Sequence, residues 1–328
     1  MTILVTGVAG FIGSSVAGSL LDRGQAVIGI DNLNDYYAVS LKEARLARLA
    51  GRPGFRFVRA DISDRATVEG LTAELRDVTG IVHLAAQAGV RYSLENPYAY
   101  VDANVTGQVA LLEAARRMPN LAHFVYASSS SVYGANRKTP FSVEDRVDSP
   151  VSIYAATKKA GEMLAFSYCH IYGIPATGLR FFTVYGPWGR PDMATFQFTE
   201  AILAGRPIRV FNGGRMKRDF TYIDDITAGV LAALDHPAPK DPETGAPHRV
   251  YNLGNNRSEE LTRFIDVLED ALGRKAVRSL EPLQPGDVVE TAADIEASRR
   301  DLGFAPTTPI EVGLPRFVSW YRDYHKIA

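Results

Sequence analysis

Through its first 181 residues the chain alternates short apolar runs, each suited to one buried strand, with amphipathic stretches of helical period. Runs at 2–6, 26–30, 55–60, 80–84, 123–128 and 176–181 predict strands; stretches at 11–23, 42–49, 66–76, 98–117 and 152–172 predict helices. A helix between successive strands returns the chain to the same end of the sheet, so the strands pair in parallel. Strands this apolar also need helices on both faces. After residue 182 the segments shorten and Gly/Pro pairs punctuate them, with helices expected at 195–203, 223–234, 258–272 and 310–324 and a surface loop at 237–247. Two lobes follow from this change of character, 1–182 and 183–328, with some exchange of chain between them and a cleft where they meet.

Gly7-Val-Ala-Gly10-Phe-Ile-Gly13 joins the first predicted strand to the first helix. Glycines here permit a tight turn and close approach of backbone to a pyrophosphate, which the helix N-terminus then faces. Such a turn can also be purely structural. Asp31 strengthens the ligand reading, because a carboxylate ending the second strand can take adenosine ribose hydroxyls and would repel a 2′-phosphate; Asn32, not Arg, follows it. The plain alternative for Asp31 is a solvated turn residue. NAD is therefore expected over NADP, in a Rossmann-type doubly wound sheet. Phe11 and Ile12 within the turn, Asp61 and Ile62 after the third strand, Leu84-Ala85-Ala86 after the fourth, and Asn104 complete the expected cofactor side.

Composition narrows the remaining classes. The 36 Lys+Arg against 37 Asp+Glu in 328 residues leave a formal charge of −1, so no global field draws the chain to nucleic acid or to an anionic membrane. Cys169 is the single cysteine, which points to a reducing compartment, the cytoplasm. Residues 1–21 lack charge, yet they begin without a basic segment and contain Gly7, Gly10, Gly13 and Gly18, which suits strand, turn and helix better than a signal or anchor. His83, His123 and His170 lack metal-ligand spacing.

Tyr154-Ala-Ala-Thr-Lys158 places a phenol and an ammonium on one helix face, and Ser128-Ser-Ser-Ser131-Val-Tyr-Gly134 follows a strand that should end beside the same cofactor. A phenol titrates near 10, roughly, so a base at neutral pH needs help. An ammonium about 4 Å away at an effective dielectric of about 20 would contribute about 4 kcal/mol. Lys158 and an oxidised nicotinamide together are expected to make Tyr154 the base; a surface Tyr/Lys pair is the alternative. With the dinucleotide turn, these features resemble the extended short-chain dehydrogenase/reductase family.

Within that family, Tyr154 to Glu162, the block Leu179-Arg-Phe-Phe-Thr-Val-Tyr-Gly-Pro-Trp-Gly-Arg-Pro-Asp-Met193, Arg218 to Asp225 and Gln284-Pro-Gly-Asp287 look like bacterial UDP-glucuronate 4-epimerases over nearly the whole chain. The resemblance implies Tyr154 as base, Ser129 as the hydroxyl near O4′ with Ser130 beside it, and Lys158 on the nicotinamide ribose. It puts Thr183 and Arg190 on the uronate carboxylate and Arg218 on the diphosphate. Val210 and Phe211 would lie at the uridine and Asp287 at its ribose. The second lobe is then the UDP-sugar-binding lobe. A guanidinium can grip a planar carboxylate through two hydrogen bonds, although Arg190 also reads as a surface arginine, and Arg218 could pair with Asp219 or Asp224. The implied activity is reversible C4′ epimerisation of UDP-glucuronate to UDP-galacturonate through a 4-keto sugar, by a homodimer. Alternatives are a UDP-glucuronate decarboxylase, a 4-epimerase of neutral UDP-hexoses and, outside enzymes, an NAD-binding sensor. Ser131 stands where decarboxylases of the superfamily carry Glu, which favours epimerisation.

Overall fold

The computed structural model describes residues 1–283 and 288–327. In chain order the first half runs β1 (Thr2–Thr6), α1 (Phe11–Asp22), β2 (Ala26–Asp31), α2 (Val39–Ala47), β3 (Phe55–Arg59), α3 (Arg65–Leu71), β4 (Val78–His83), α4 (Tyr92–Glu95), α5 (Pro97–Val101), α6 (Gly107–Ala115), β5 (His123–Ser129), α7 (Ile153–Tyr172) and β6 (Ala176–Phe181). The second half adds β7 (Thr183–Tyr185), α8 (Ala194–Leu203), β8 (Ile208–Phe211), β9 (Lys217–Tyr222), α9 (Ile223–Asp235), β10 (His248–Leu253), β11 (Ser258–Glu260), α10 (Leu261–Leu272), β12 (Arg278–Glu281), α11 (Glu296–Leu302) and α12 (Ile310–His325).

Seven parallel strands form the main sheet in the order β10-β6-β5-β4-β1-β2-β3. The order reverses between β1 and β4, and ligands of such sheets bind outside the strand C-termini at that point. The register fixes which residues emerge there. Thr6 lies beside Ile30 and His83, and Ser129 beside Phe181. One sheet face is covered by α1 and α9, through Val16, Leu20, Val230 and Leu234. The other is covered by α3, α6 and α7, through Val68, Leu111, Ala165 and the buried Cys169. Among the described residues, no helix is long and apolar enough to cross a membrane.

Two sequence expectations need correction. The helix expected over 98–117 is interrupted by a π turn at Asp102–Thr106, which carries Asn104 toward Gln87 at 2.8 Å. The helix expected from 258 starts at Leu261, because Ser258–Glu260 pairs antiparallel with β9. From beyond residue 182, β10 joins the first sheet as its edge strand, registered from His248 beside Ala176 to Leu253 beside Phe181.

Candidate active site

The turn after β1 packs at distances that only glycine tolerates. A Cβ on Gly7, whose φ is 71°, would lie 2.7 Å from the Ala85 nitrogen, and one on Gly13 would lie 2.0 Å from the Gly7 carbonyl oxygen. Asp31 fastens this turn: its Oδ2 accepts from the Ala9 amide at 3.0 Å and its Oδ1 from the Leu33 amide at 2.9 Å. No acidic residue occupies the first turn of α1, so its positive end suits an anion. Above the turn, outside the strand C-termini, opens an elongated cleft. Its walls include Gly7, Gly10, Phe11, Ile12, Gly13, Asp31, Asn32, Ile62, Leu84, Ala85 and Ala86 at one end and Ser129, Tyr154, Lys158 and Arg190 at the other. The cradle fits a dinucleotide.

The remaining expected site residues among those described do not line this cleft. Asp61 accepts from Asn32 Nδ2 at 2.8 Å and from the Ser63 hydroxyl at 2.6 Å, so it orients Asn32. The amide of Asn104 is taken up by Gln87 and by Thr157, which ties the loop after β4 to α7. Ser130 opens a 3₁₀ turn, Ser130–Tyr133, and Thr183 begins β7 beside Phe220. Val210 is buried in β8, beside Leu280 of β12. The Phe211 ring lies between the guanidinium groups of Arg91 and Arg209, at 4.6 and 5.0 Å. Arg218 donates to the carbonyls of Lys217 and Val289. Asp287 lies outside the described residues.

Tyr154 stands in the first turn of α7, which Ser152 caps through the Ala155 amide at 3.1 Å. Burial raises the Tyr154 pKa, because a phenolate there loses its water; the Ser129 hydroxyl and the charge of Arg190 oppose the rise. Lys158 Nζ donates to the Ala127 carbonyl at 3.0 Å and sits 6.0 Å from the Tyr154 ring centre. The charge of Arg190 reaches the phenol as well. Burial, with Arg190 nearby, brings the Lys158 pKa down to about 8.

Arg190 itself is paired. Its Nε donates to Asp192 Oδ1 at 3.0 Å and its Nη2 to Oδ2, leaving Nη1 uncommitted to Asp192. Tyr36 donates to the same Oδ2 at 3.1 Å.

A profile of the NAD dependent epimerase/dehydratase family matches residues 3–254. The chain belongs to that family. It is 48% identical to a probable UDP-glucuronate 4-epimerase of Rhizobium meliloti over 100% of this chain and 99% of that one. It is 51% identical to UDP-glucuronate 4-epimerase 3 of Arabidopsis thaliana, over 99% of this chain and 77% of that one. A crystal structure of UDP-glucuronic acid 4-epimerase from Bacillus cereus, in complex with UDP-glucuronic acid and NAD, superposes with a TM-score of 0.90 at 35% identity, covering 99% and 100% of the two chains.

Several residues of this family member line the cleft without having drawn notice in the sequence. Tyr36, Tyr37 and Lys42 come from the connection after β2 and the start of α2. Lys42 Nζ is bonded to the Asn34 carbonyl at 2.7 Å and its side-chain oxygen at 2.6 Å. Their only sequence signal was an Asn/Asp/Tyr-rich loop, which turn chemistry alone explains.

The buried Lys158 has a consequence for stability. A folded-state pKa of about 8 against the ordinary 10.5 means that folding strips a bound proton between these values. Stability therefore rises with pH across that window, and below it the buried ammonium costs roughly 3 kcal/mol. Lys158→Met, which keeps the apolar stem, is expected to be more stable than the unsubstituted protein at pH 7. The advantage should shrink toward pH 10 in paired urea titrations; an advantage independent of pH would contradict the burial penalty.

Proposed function

We propose that the protein interconverts UDP-glucuronate and UDP-galacturonate by inverting C4′, retaining NAD through each turnover. The observation that carries this reading is Arg190, a guanidinium lining the sugar end of the cleft whose charge reaches both Tyr154 and Lys158. A neutral hexose calls for no such cation, whereas a uronate carboxylate does. The named 4-epimerase relatives and the Bacillus cereus complex support the same substrate.

In this reading Tyr154 takes the O4′ proton and returns it, with Ser129 bridging the phenol and the sugar oxygen. NAD, when bound, supplies the reversible two-electron acceptor for C4′. Lys158, oriented by the Ala127 carbonyl, reaches the ribose of the nicotinamide half. The 4-keto sugar must turn over in the pocket before C4′ is reduced from its other face. It is a β-keto acid and loses CO₂ if the carboxylate bond aligns with the carbonyl. Arg190, with Thr183 near it in sequence, restrains that carboxylate.

Arg190→Ala is expected to raise KM for UDP-glucuronate by about 10–100-fold, the loss of one or two charge-assisted hydrogen bonds. It should also yield UDP-4-keto-pentose, seen by NMR of the product mixture. Unchanged KM and products would remove Arg190 from the carboxylate site. Abundant UDP-4-keto-pentose from the unsubstituted protein would favour the decarboxylase reading, and efficient turnover of UDP-glucose the neutral-hexose reading.

The reading includes a homodimer, a cytoplasmic setting and the division at residue 182, with α9 and β10 lent to the first lobe. Exposed Leu94, Tyr98 and Val101 near α4–α5, with Ile153, Met163 and Phe166 on α7, support the first. The single buried thiol of Cys169 supports the second.

A further inference from the structure

Arg45, in α2, is 0% exposed and has no carboxylate among its hydrogen-bond partners. All five of its N–H groups are nonetheless used. Nε donates to the Trp188 carbonyl at 3.1 Å, and Nη2 to the carbonyls of Trp188 at 2.7 Å and Gly189 at 3.0 Å. Nη1 donates to the Ala9 carbonyl at 3.1 Å and to the Tyr37 hydroxyl at 2.6 Å. Burying a cation without an anion is costly, and only a complete set of acceptors makes it tolerable.

The acceptors are the informative part. Ala9 belongs to the glycine turn, while Trp188 and Gly189 immediately precede Arg190. One guanidinium therefore joins the cofactor cradle to the segment carrying the cation of the sugar end. Trp188 adopts φ 66°, a left-handed conformation that a bulky residue adopts only under constraint. Its carbonyl is held by two Arg45 donors, and its ring lies 4.7 Å from the Arg48 guanidinium. On the far side of Arg190, Asp192 is held by Tyr36. Residues 36–48 thus grip both flanks of Arg190 across the cleft.

We propose that Arg45 is a positioning residue for recognition of the uronate: by tying the Trp188 and Gly189 carbonyls to the Ala9 carbonyl it sets where the Arg190 guanidinium stands relative to the bound dinucleotide, and so sets the preference for charged over neutral UDP-sugars. This role rests on the UDP-glucuronate reading above. A strut of the core alone would change stability and leave that preference intact. Lysine at this position keeps the charge and has three N–H donors on one nitrogen, which cannot span acceptors on three segments.

The test measures binding of UDP-glucuronate, UDP-glucose and UDP to NAD-loaded unsubstituted protein and Arg45→Lys by calorimetry, alongside Tm, NAD content and NMR of products. Arg45→Lys is expected to lose about tenfold of the preference for UDP-glucuronate over UDP-glucose, with UDP affinity unchanged and more UDP-4-keto-pentose formed. A folded, NAD-loaded Arg45→Lys with the preference intact overturns the proposal, as does an equal loss of affinity for all three ligands. If Arg45→Lys gives no folded protein, Tyr37→Phe decides: it removes one acceptor, and a loss of about threefold is expected, no loss again overturning the role. Unsubstituted protein that does not discriminate between the two sugars overturns the substrate reading instead.

Discussion

Tyr154→Phe is expected to lower kcat for the interconversion of UDP-glucuronate and UDP-galacturonate by about a thousandfold, the middle of the range for removing a positioned acid–base group. The ring keeps its edge-to-face contact with Tyr100, at 6.0 Å and 76°, so the fold loses little. Tm and NAD content should stay near those of the unsubstituted protein. In the proposed mechanism, what disappears is the group that takes and returns the O4′ proton. Burial raises its pKa in the free protein, against the ordinary expectation for a base. The lowering must then come from charges gathered at the moment of reaction: Arg190 already nearby, and the oxidised nicotinamide once bound. Near-normal turnover by this variant, followed by NMR, would remove Tyr154 from the chemistry.

A second large effect lies behind the site. Arg180 and Glu162 form a buried pair, Nε to Oε1 at 2.8 Å and Nη2 to Oε2 at 2.9 Å. Ser128 donates to Glu162 at 2.6 Å, and Arg180 Nη1 donates to the Tyr133 hydroxyl at 3.1 Å. That hydroxyl donates to Asn252 at 2.6 Å, whose amide reaches the carbonyls of Phe141 and Asp294. The network binds α7, which carries Tyr154, to β5, which ends in Ser129, and to β6 and β10. Arg180→Ala is expected to cost about 3 kcal/mol, because the buried Glu162 carboxylate then keeps only the Ser128 hydroxyl and the partly exposed Lys159, 3.4 Å away.

The sign with pH follows from Glu162. Burial alone would raise its pKa, but Arg180 outweighs that and holds it below the usual carboxylate range. In the unsubstituted protein this stability is present above the unfolded pKa and lost as pH falls through the depressed one. Without Arg180, burial is opposed only by the Ser128 hydroxyl and Lys159, and the Glu162 pKa rises. The Arg180→Ala deficit should therefore be largest near neutral pH and shrink toward pH 4, roughly the unfolded carboxylate value. Urea titrations at several pH values check this; a small deficit that is flat with pH would mean the pair contributes little. The double variant Glu162→Leu/Arg180→Met should lose less than Arg180→Ala alone, since no charge is then stranded.

How far each part was legible depended on how local its cause is. Strands β1 to β6 and helices α1 and α7 could be read because apolar periodicity and glycine punctuation act within a dozen residues. The dinucleotide turn was legible for the same reason, as was the single-turn spacing of Tyr154 and Lys158. Strands β7 to β12 were not, being three to six residues each. Their identity depends on partners far along the chain, as when β10 takes up the edge beside β6. Arg180, flanked by Leu179 and Phe181 inside an apolar run, gave no hint that it would meet Glu162 on a helix.

Local pattern was thus sufficient for the layered architecture and the dinucleotide end of the cleft, since periodicity and glycine stereochemistry are properties of short segments. Packing alone placed the charges: Lys158 turned to the Ala127 carbonyl, and Arg190 paired with Asp192, with the Arg45 bracket beside it. Charge effects depend on distance and burial in space, and the residues that set them here lie up to 156 positions apart.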